Sequence, residues 1–109
     1  MKKIVMLVAV FGFTAALSAS AAEAKDNWNT LCAKCHGAEG KGDTKIGQKL
    51  GVKDFTDAKV QAAIKDEDAT KAIKEGRKNA DGNTLMKPFD TLTDDEVKAL
   101  VAYVRGLKA

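Results

Sequence analysis

The sequence predicts an all-α domain of about four short helices. Apolar side chains recur at helical spacing in three separate stretches: Trp28, Leu31, Cys32 and Cys35; Ala69, Ala72, Ile73 and Gly76; and Val97, Leu100, Val101 and Val104. Helix start and stop signals bracket the last two. No stretch alternates apolar and polar residues as a half-buried strand would, and there is no internal repeat or low-complexity segment.

Met1 to Ala22 stands outside that domain. Lys2 and Lys3 precede an apolar run from Ile4 to Phe13, and small residues follow in Ser18-Ala19-Ser20-Ala21-Ala22. This is the layout of a cleaved secretory signal peptide, cut after Ala21 or Ala22, with Ala24 as the alternative. The run falls short of the ~20 apolar residues that a spanning helix needs. No cysteine near the cut offers a lipid anchor.

The domain proper, residues 23–109, opens with a helix over about Asp26 to Lys34. Gly37, Gly40 and Gly42 break its pattern, and an irregular stretch reaches about Phe55. These glycines are not a phosphate loop, since no strand precedes them and Gly-Lys-Ser/Thr is absent. A short helix is expected to start near Thr56-Asp57, carrying Val60, Ala63 and Ile64. Asp66, Glu67 and Asp68 suit the positive start of the next helix, and Gly76 its C-terminal cap. Arg77 to Leu92 is a loop, long for so small a domain and therefore suspected of function; it contains the Asp81-Gly82 turn signal. Thr93-Asp94-Asp95-Glu96 is a capping box, and Val97, Leu100, Val101 and Val104 form the apolar face behind it.

The chemistry is concentrated in Cys32-Ala33-Lys34-Cys35-His36. Two cysteines three positions apart, followed at once by histidine, form the attachment pattern for covalent haem. Each thiol can add to one vinyl group of the porphyrin, and the adjacent imidazole can reach the iron as proximal ligand. A structural zinc site needs about four protein ligands and a catalytic one three, whereas the chain has only two cysteines and one histidine. A redox dithiol belongs in a βαβ context that is missing here, and a Cys32–Cys35 disulfide would close too small a loop to stabilise much. Haem also fits the composition. Roughly 85 residues with four aromatics (Trp28, Phe55, Phe89, Tyr103) make a meagre core, and a bound macrocycle would enlarge it.

The formal charge of +3 falls to about +1 without Lys2 and Lys3, and two haem propionates bring it to neutral or slightly acidic. The pI of 8.9 therefore points to neither nucleic acid nor a membrane surface. On the far side of the iron, His36 is the only histidine, so bis-histidine ligation within one chain is excluded. Met86 is the only methionine left after the signal segment, lies in the long loop, and offers a soft thioether that raises the reduction potential. The alternatives are that Met86 fills the core, leaving the site open to water or closed by a lysine.

These motifs resemble the small class I c-type cytochromes, particularly the single-haem bacterial ones. The resemblance rests on Cys32-Ala33-Lys34-Cys35-His36, Gly37-Ala38-Glu39-Gly40-Lys41-Gly42, Asp54-Phe55-Thr56-Asp57, Gly82-Asn83-Thr84-Leu85-Met86-Lys87-Pro88-Phe89, Leu92-Thr93-Asp94-Asp95-Glu96 and Ala102-Tyr103-Val104-Arg105. It implies the compact class I cytochrome c fold, with the helices wrapped around one covalently bound haem and the first and last crossing through Trp28 and Tyr103. Many members have a proline after the glycine loop whose neighbourhood supplies a carbonyl to the proximal imidazole. The only proline here is Pro88, so a carbonyl around Gly47-Gln48-Lys49-Leu50 is expected to accept from Nδ1–H of His36. Ile46, Leu50 and Val52 are candidates to cover the haem.

The expected protein is an exported periplasmic electron carrier and not an enzyme. Cys32 and Cys35 hold haem c, His36 is the proximal iron ligand and Met86 the distal one. Redox partner proteins would dock transiently on a monomer, with Lys34, Lys41, Lys45 and Lys87 steering acidic ones. Two other readings remain: a small-ligand sensor or weak peroxidase with an open iron position, and a haem-free thiol–disulfide oxidoreductase.

Overall fold

A computed structural model describes residues 21–108; most of the expected signal segment lies outside them. Helix α1 is already helical at residue 21 and runs to residue 36, through a π-helical segment, Trp28–Cys32, into a closing α-helical turn, Ala33–His36. Single π turns of this kind gather at functional sites. It ends at Gly37, whose backbone (φ 86°, ψ 154°) lies in a region that only glycine adopts readily.

Helix α2, Lys45–Leu50, occupies the stretch expected to be irregular. Its two apolar residues, Ile46 and Leu50, are too few to show a period. It is held by its ends, where the Thr44 side chain accepts from the Gly47 N–H and Gly51 turns left-handed. Helix α3, Ala58–Ala63, is capped by Asp57, and α4 spans Asp66–Glu75 with three acids in its first turn. The described residues thus hold five helical segments rather than about four.

The loop expected after Gly76 contains a small antiparallel hairpin, β1 (Arg77–Lys78) and β2 (Thr84–Met86), bulged between Arg77 and Lys78. Asn79 organises its turn, its side chain accepting from the N–H groups of Asp81 and Asn83 at 3.0 Å. Helix α5, Asp94–Arg105, starts in the predicted capping box, with Thr93 and Glu96 satisfying each other's backbone N–H groups.

Trp28, Ile73, Val97, Leu100, Val101 and Val104 form the buried cluster, so α1, α4 and α5 meet around one core. The crossing of the first and last helices is present: Trp28 and Tyr103 rings lie 5.6 Å apart at 40°. A polar tie joins α5 to α3. Buried Gln61 donates to the carbonyls of Phe55 (2.7 Å) and Val104 (2.8 Å). Arg105 reaches the carbonyls of Gln61 and Ile64 and the Asp66 carboxylate. No helix among the described residues is long and apolar enough to cross a membrane.

Candidate functional site

The closing turns of α1 bring the chemistry together. Cys32 ends the π segment, and Cys35 and His36 sit in the α-helical turn after it. Both thiols are free and half-buried. Burial, and secondarily the neighbouring Cys35, push the Cys32 thiol up to about 11, so it stays protonated at neutral pH. Burial also lowers the His36 pKa, favouring the neutral imidazole that binds metals.

Aromatic rings wall the imidazole in. Phe55 stacks on it with centroids 5.2 Å apart at 24°, and Trp28 lies tilted at 5.6 Å. The following loop folds back on the motif. Gly42 N–H donates to the His36 carbonyl (2.8 Å), the Thr44 hydroxyl to the Cys35 carbonyl (2.6 Å), and the Trp28 indole N–H to the Gly37 carbonyl (3.0 Å). Phe55 N–H donates to the Gly40 carbonyl at 2.8 Å, which fixes the stacked ring.

The expected acceptor for His36 Nδ1 is not formed. That nitrogen is buried without a hydrogen-bond partner. The Gly47 carbonyl accepts instead from Val52 N–H (3.0 Å), and the Gln48 carbonyl from Gly51 N–H (3.3 Å). Closing α2 uses carbonyls that the imidazole was expected to find.

Met86 ends β2, half-buried, opposite Arg77. It packs against the same buried cluster as Cys32 and Phe55. The chain after it is tied to α4, with Phe89 N–H donating to the Ile73 carbonyl at 2.8 Å. Of the candidate covering residues, Leu50 and Val52 are half-buried, while Ile46 is exposed. Lys34, Lys41, Lys45 and Lys87 are all exposed. Lys41 pairs with Glu39 at 3.0 Å, and Lys87 sits 5.6 Å over the Phe89 ring, so neither is a wholly free charge. A depression of about 830 Å³ along α4 and α5, bordered by Lys71, Lys98 and Val101, includes none of these site residues.

The donor set fits a haem. Among the described residues no group of three or more His, Cys, Asp and Glu side chains could hold a metal alone, so an iron at His36 needs a macrocycle for its remaining bonds. Two free thiols, three residues apart and beside a neutral imidazole, are the groups such a macrocycle uses. The same protonated thiol at Cys32 suits a dithiol oxidoreductase poorly, because that chemistry needs a thiolate.

Three contributors went unnoticed at sequence level. In the sequence Phe55 is one of four aromatics and part of a motif, with no sign that it stacks on the His36 imidazole. Thr44 was part of an irregular stretch; a threonine six residues before Leu50-Gly51 is a helix-start signal in retrospect. Gly76 reads in the sequence as a cap, with no sign that it lies against the Met86 backbone.

Comparison with known proteins agrees with this geometry. The cytochrome c family profile matches residues 21–108. Two similar solved structures are the KustC0563 c-type cytochrome and a tyrosine-to-phenylalanine mutant of it. The first is 37% identical, with TM-score 0.66, covering 79% of this chain and 98% of that one. The second is also 37% identical, with TM-score 0.64, covering 79% and 99%. No curated protein sequence matches. With its attachment turn, crossed terminal helices and a match across every described residue, the chain belongs to the cytochrome c family, as a small class I c-type cytochrome.

Proposed function

We propose that the protein is an exported carrier of single electrons with one haem, attached through Cys32 and Cys35 and ligated by His36 and Met86. Membership of the family implies covalently bound haem c and haem-based electron transfer, and Cys32 and Cys35 fit its attachment pattern. The observation that carries this reading is that Cys32, in the closing turns of α1, and Met86, at the end of β2, pack against one buried cluster. An attachment thiol and a candidate iron ligand from distant parts of the chain are thereby available to one core.

Bound haem supplies the one-electron iron couple; the chain's own residues hold it and limit what else can happen. Burial keeps His36 neutral, and Phe55 and Trp28 restrict its ring rotation. The Thr44 and Gly42 hydrogen bonds brace the carbonyls of Cys35 and His36. Were His36 and Met86 both to hold the iron, no position would remain for a substrate, and electron exchange would be the activity left.

Met1 to Ala22 carries the chain across the inner membrane to the periplasm and is removed. Ala24 is 2% exposed, which favours a cut before it, after Ala21 or Ala22, that leaves the core complete. The exported protein works as a monomer that docks briefly on its donor and acceptor through small interfaces, with Lys34 and Lys45 the least encumbered of the steering lysines. Electron-transfer rates with an acidic partner therefore fall as salt rises.

Mass spectrometry of protein exported by a strain that matures c-type haem tests attachment and export together. The expected mass, under denaturing conditions, is that of the chain from Ala22 or Glu23 plus one haem. Haem that separates from the denatured chain, or an intact N-terminus, contradicts the proposal.

A further inference from the structure

Gly76 stands where the chain leaving α4 passes the chain leaving β2. Its N–H closes α4 on the Ala72 carbonyl at 2.8 Å, and its backbone (φ 75°, ψ −174°) lies in a region adopted almost only by glycine. A Cβ added there would overlap the Met86 carbonyl oxygen and stand 2.8 Å from Pro88 N and 3.0 Å from Lys87 C. All three are backbone atoms, which cannot swing aside as the end of a side chain can. Antiparallel pairing of Arg77 with Met86, and the bond from Phe89 N–H to the Ile73 carbonyl, hold the two chains at this separation from either side.

The geometry points to Gly76 as a positioning residue for the distal iron ligand: its missing side chain lets the backbone at Met86 seat against the end of α4, and that seat sets where the thioether is presented. The inference rests on Met86 being the distal ligand. A backbone pushed outward from α4 carries the sulfur with it, and a ligand bond tolerates little misplacement.

Gly82 supplies the control. It lies in the turn of the same hairpin, also at positive φ (83°), but an added Cβ there meets nothing within 4 Å. Gly82→Ala imposes backbone strain without the clash, whereas Gly76→Ala imposes both.

The experiment compares holoprotein of the native chain, Gly76→Ala, Gly82→Ala and Met86→Ala. It records the long-wavelength band of oxidised methionine–iron ligation, helical circular dichroism, and carbon monoxide binding to the reduced iron. The expected result is a band present in the native and Gly82→Ala proteins and lost or shifted in Gly76→Ala with helices retained. Carbon monoxide affinity should rise ~10-fold or more in Gly76→Ala. A Gly76→Ala protein with the native band and native affinity overturns the proposal. So does one that loses its helices together with the band, even in trimethylamine N-oxide, since Gly76 would then be a requirement of the fold as a whole. A native protein without the band, or a band that survives in Met86→Ala, removes Met86 as ligand and this inference with it.

Discussion

Gln61 is the strongest test of how the last helix is tied to the His36 side of the site. The residue is 8% exposed, and its side chain donates to Phe55 O at 2.7 Å and Val104 O at 2.8 Å. In Gln61→Ala the Val104 carbonyl keeps the Leu107 N–H at 3.1 Å, while the Phe55 carbonyl loses its side-chain donor. The bond to the part-buried Phe55 carbonyl and the buried bond to Val104 contribute about 0.5–1.5 kcal/mol each, so the loss should be about 2 kcal/mol. For a domain of this size that lowers Tm by about 10 °C. Arg105 bonds the Gln61 carbonyl at 2.7 Å and approaches its side-chain oxygen at 3.4 Å, so Gln61→Ala and Arg105→Met share partners and their effects should not add. Thermal unfolding of the holoprotein, followed by circular dichroism for both single variants and the double, measures each quantity. A Gln61→Ala protein within about 0.5 kcal/mol of native, or strict additivity with Arg105→Met, refutes the clamp.

Leu100, 1% exposed at the centre of the cluster, should cost about 3 kcal/mol when cut to alanine, read as a fall in guanidinium midpoint at unchanged slope. Thr93→Ala removes the α5 cap and should cost about 1 kcal/mol in the same assay. The Thr93 backbone N–H and then its hydroxyl hold the Glu96 carboxyl below its ordinary 4.5, and Lys74 does the same for Asp94. Carboxyls lowered by folding stabilise above their unfolded pKa and lose that contribution as pH falls through the folded one. The native protein should therefore lose stability in acid from about pH 4.5 downward, and Glu96→Gln should flatten that dependence in acid titrations followed by circular dichroism.

How much of this was visible in the sequence varied with the kind of signal. The attachment turn, α4 and α5 were legible because their residues act locally: Cys32, Cys35 and His36 by spacing, Asp66 by its charge in the first turn and Gly76 by capping, Thr93 and Glu96 by reciprocal bonds. Helix α2 was hidden because two apolar residues make no period, although Thr44 and Gly51 mark both its ends. The hairpin was hidden because strands of two and three residues cannot alternate visibly, while its Asp81-Gly82 turn could be seen. The Phe55 stack on His36 and the passage of Gly76 past Met86 join positions distant along the chain, and no local pattern encodes them. The missing partner of His36 Nδ1 is of the same kind: whether a carbonyl is free depends on how α2 closes.

The central claim is that this chain presents His36 and Met86 to one covalently held iron. Its most direct test is the absorption spectrum of the exported protein, oxidised and then reduced, beside that of Met86→Ala. Sharp reduced bands, with a long-wavelength oxidised band that disappears in Met86→Ala, are the predicted result. Haem bands without that feature, or with one indifferent to Met86, would contradict the account and leave an iron that is open or held by another residue.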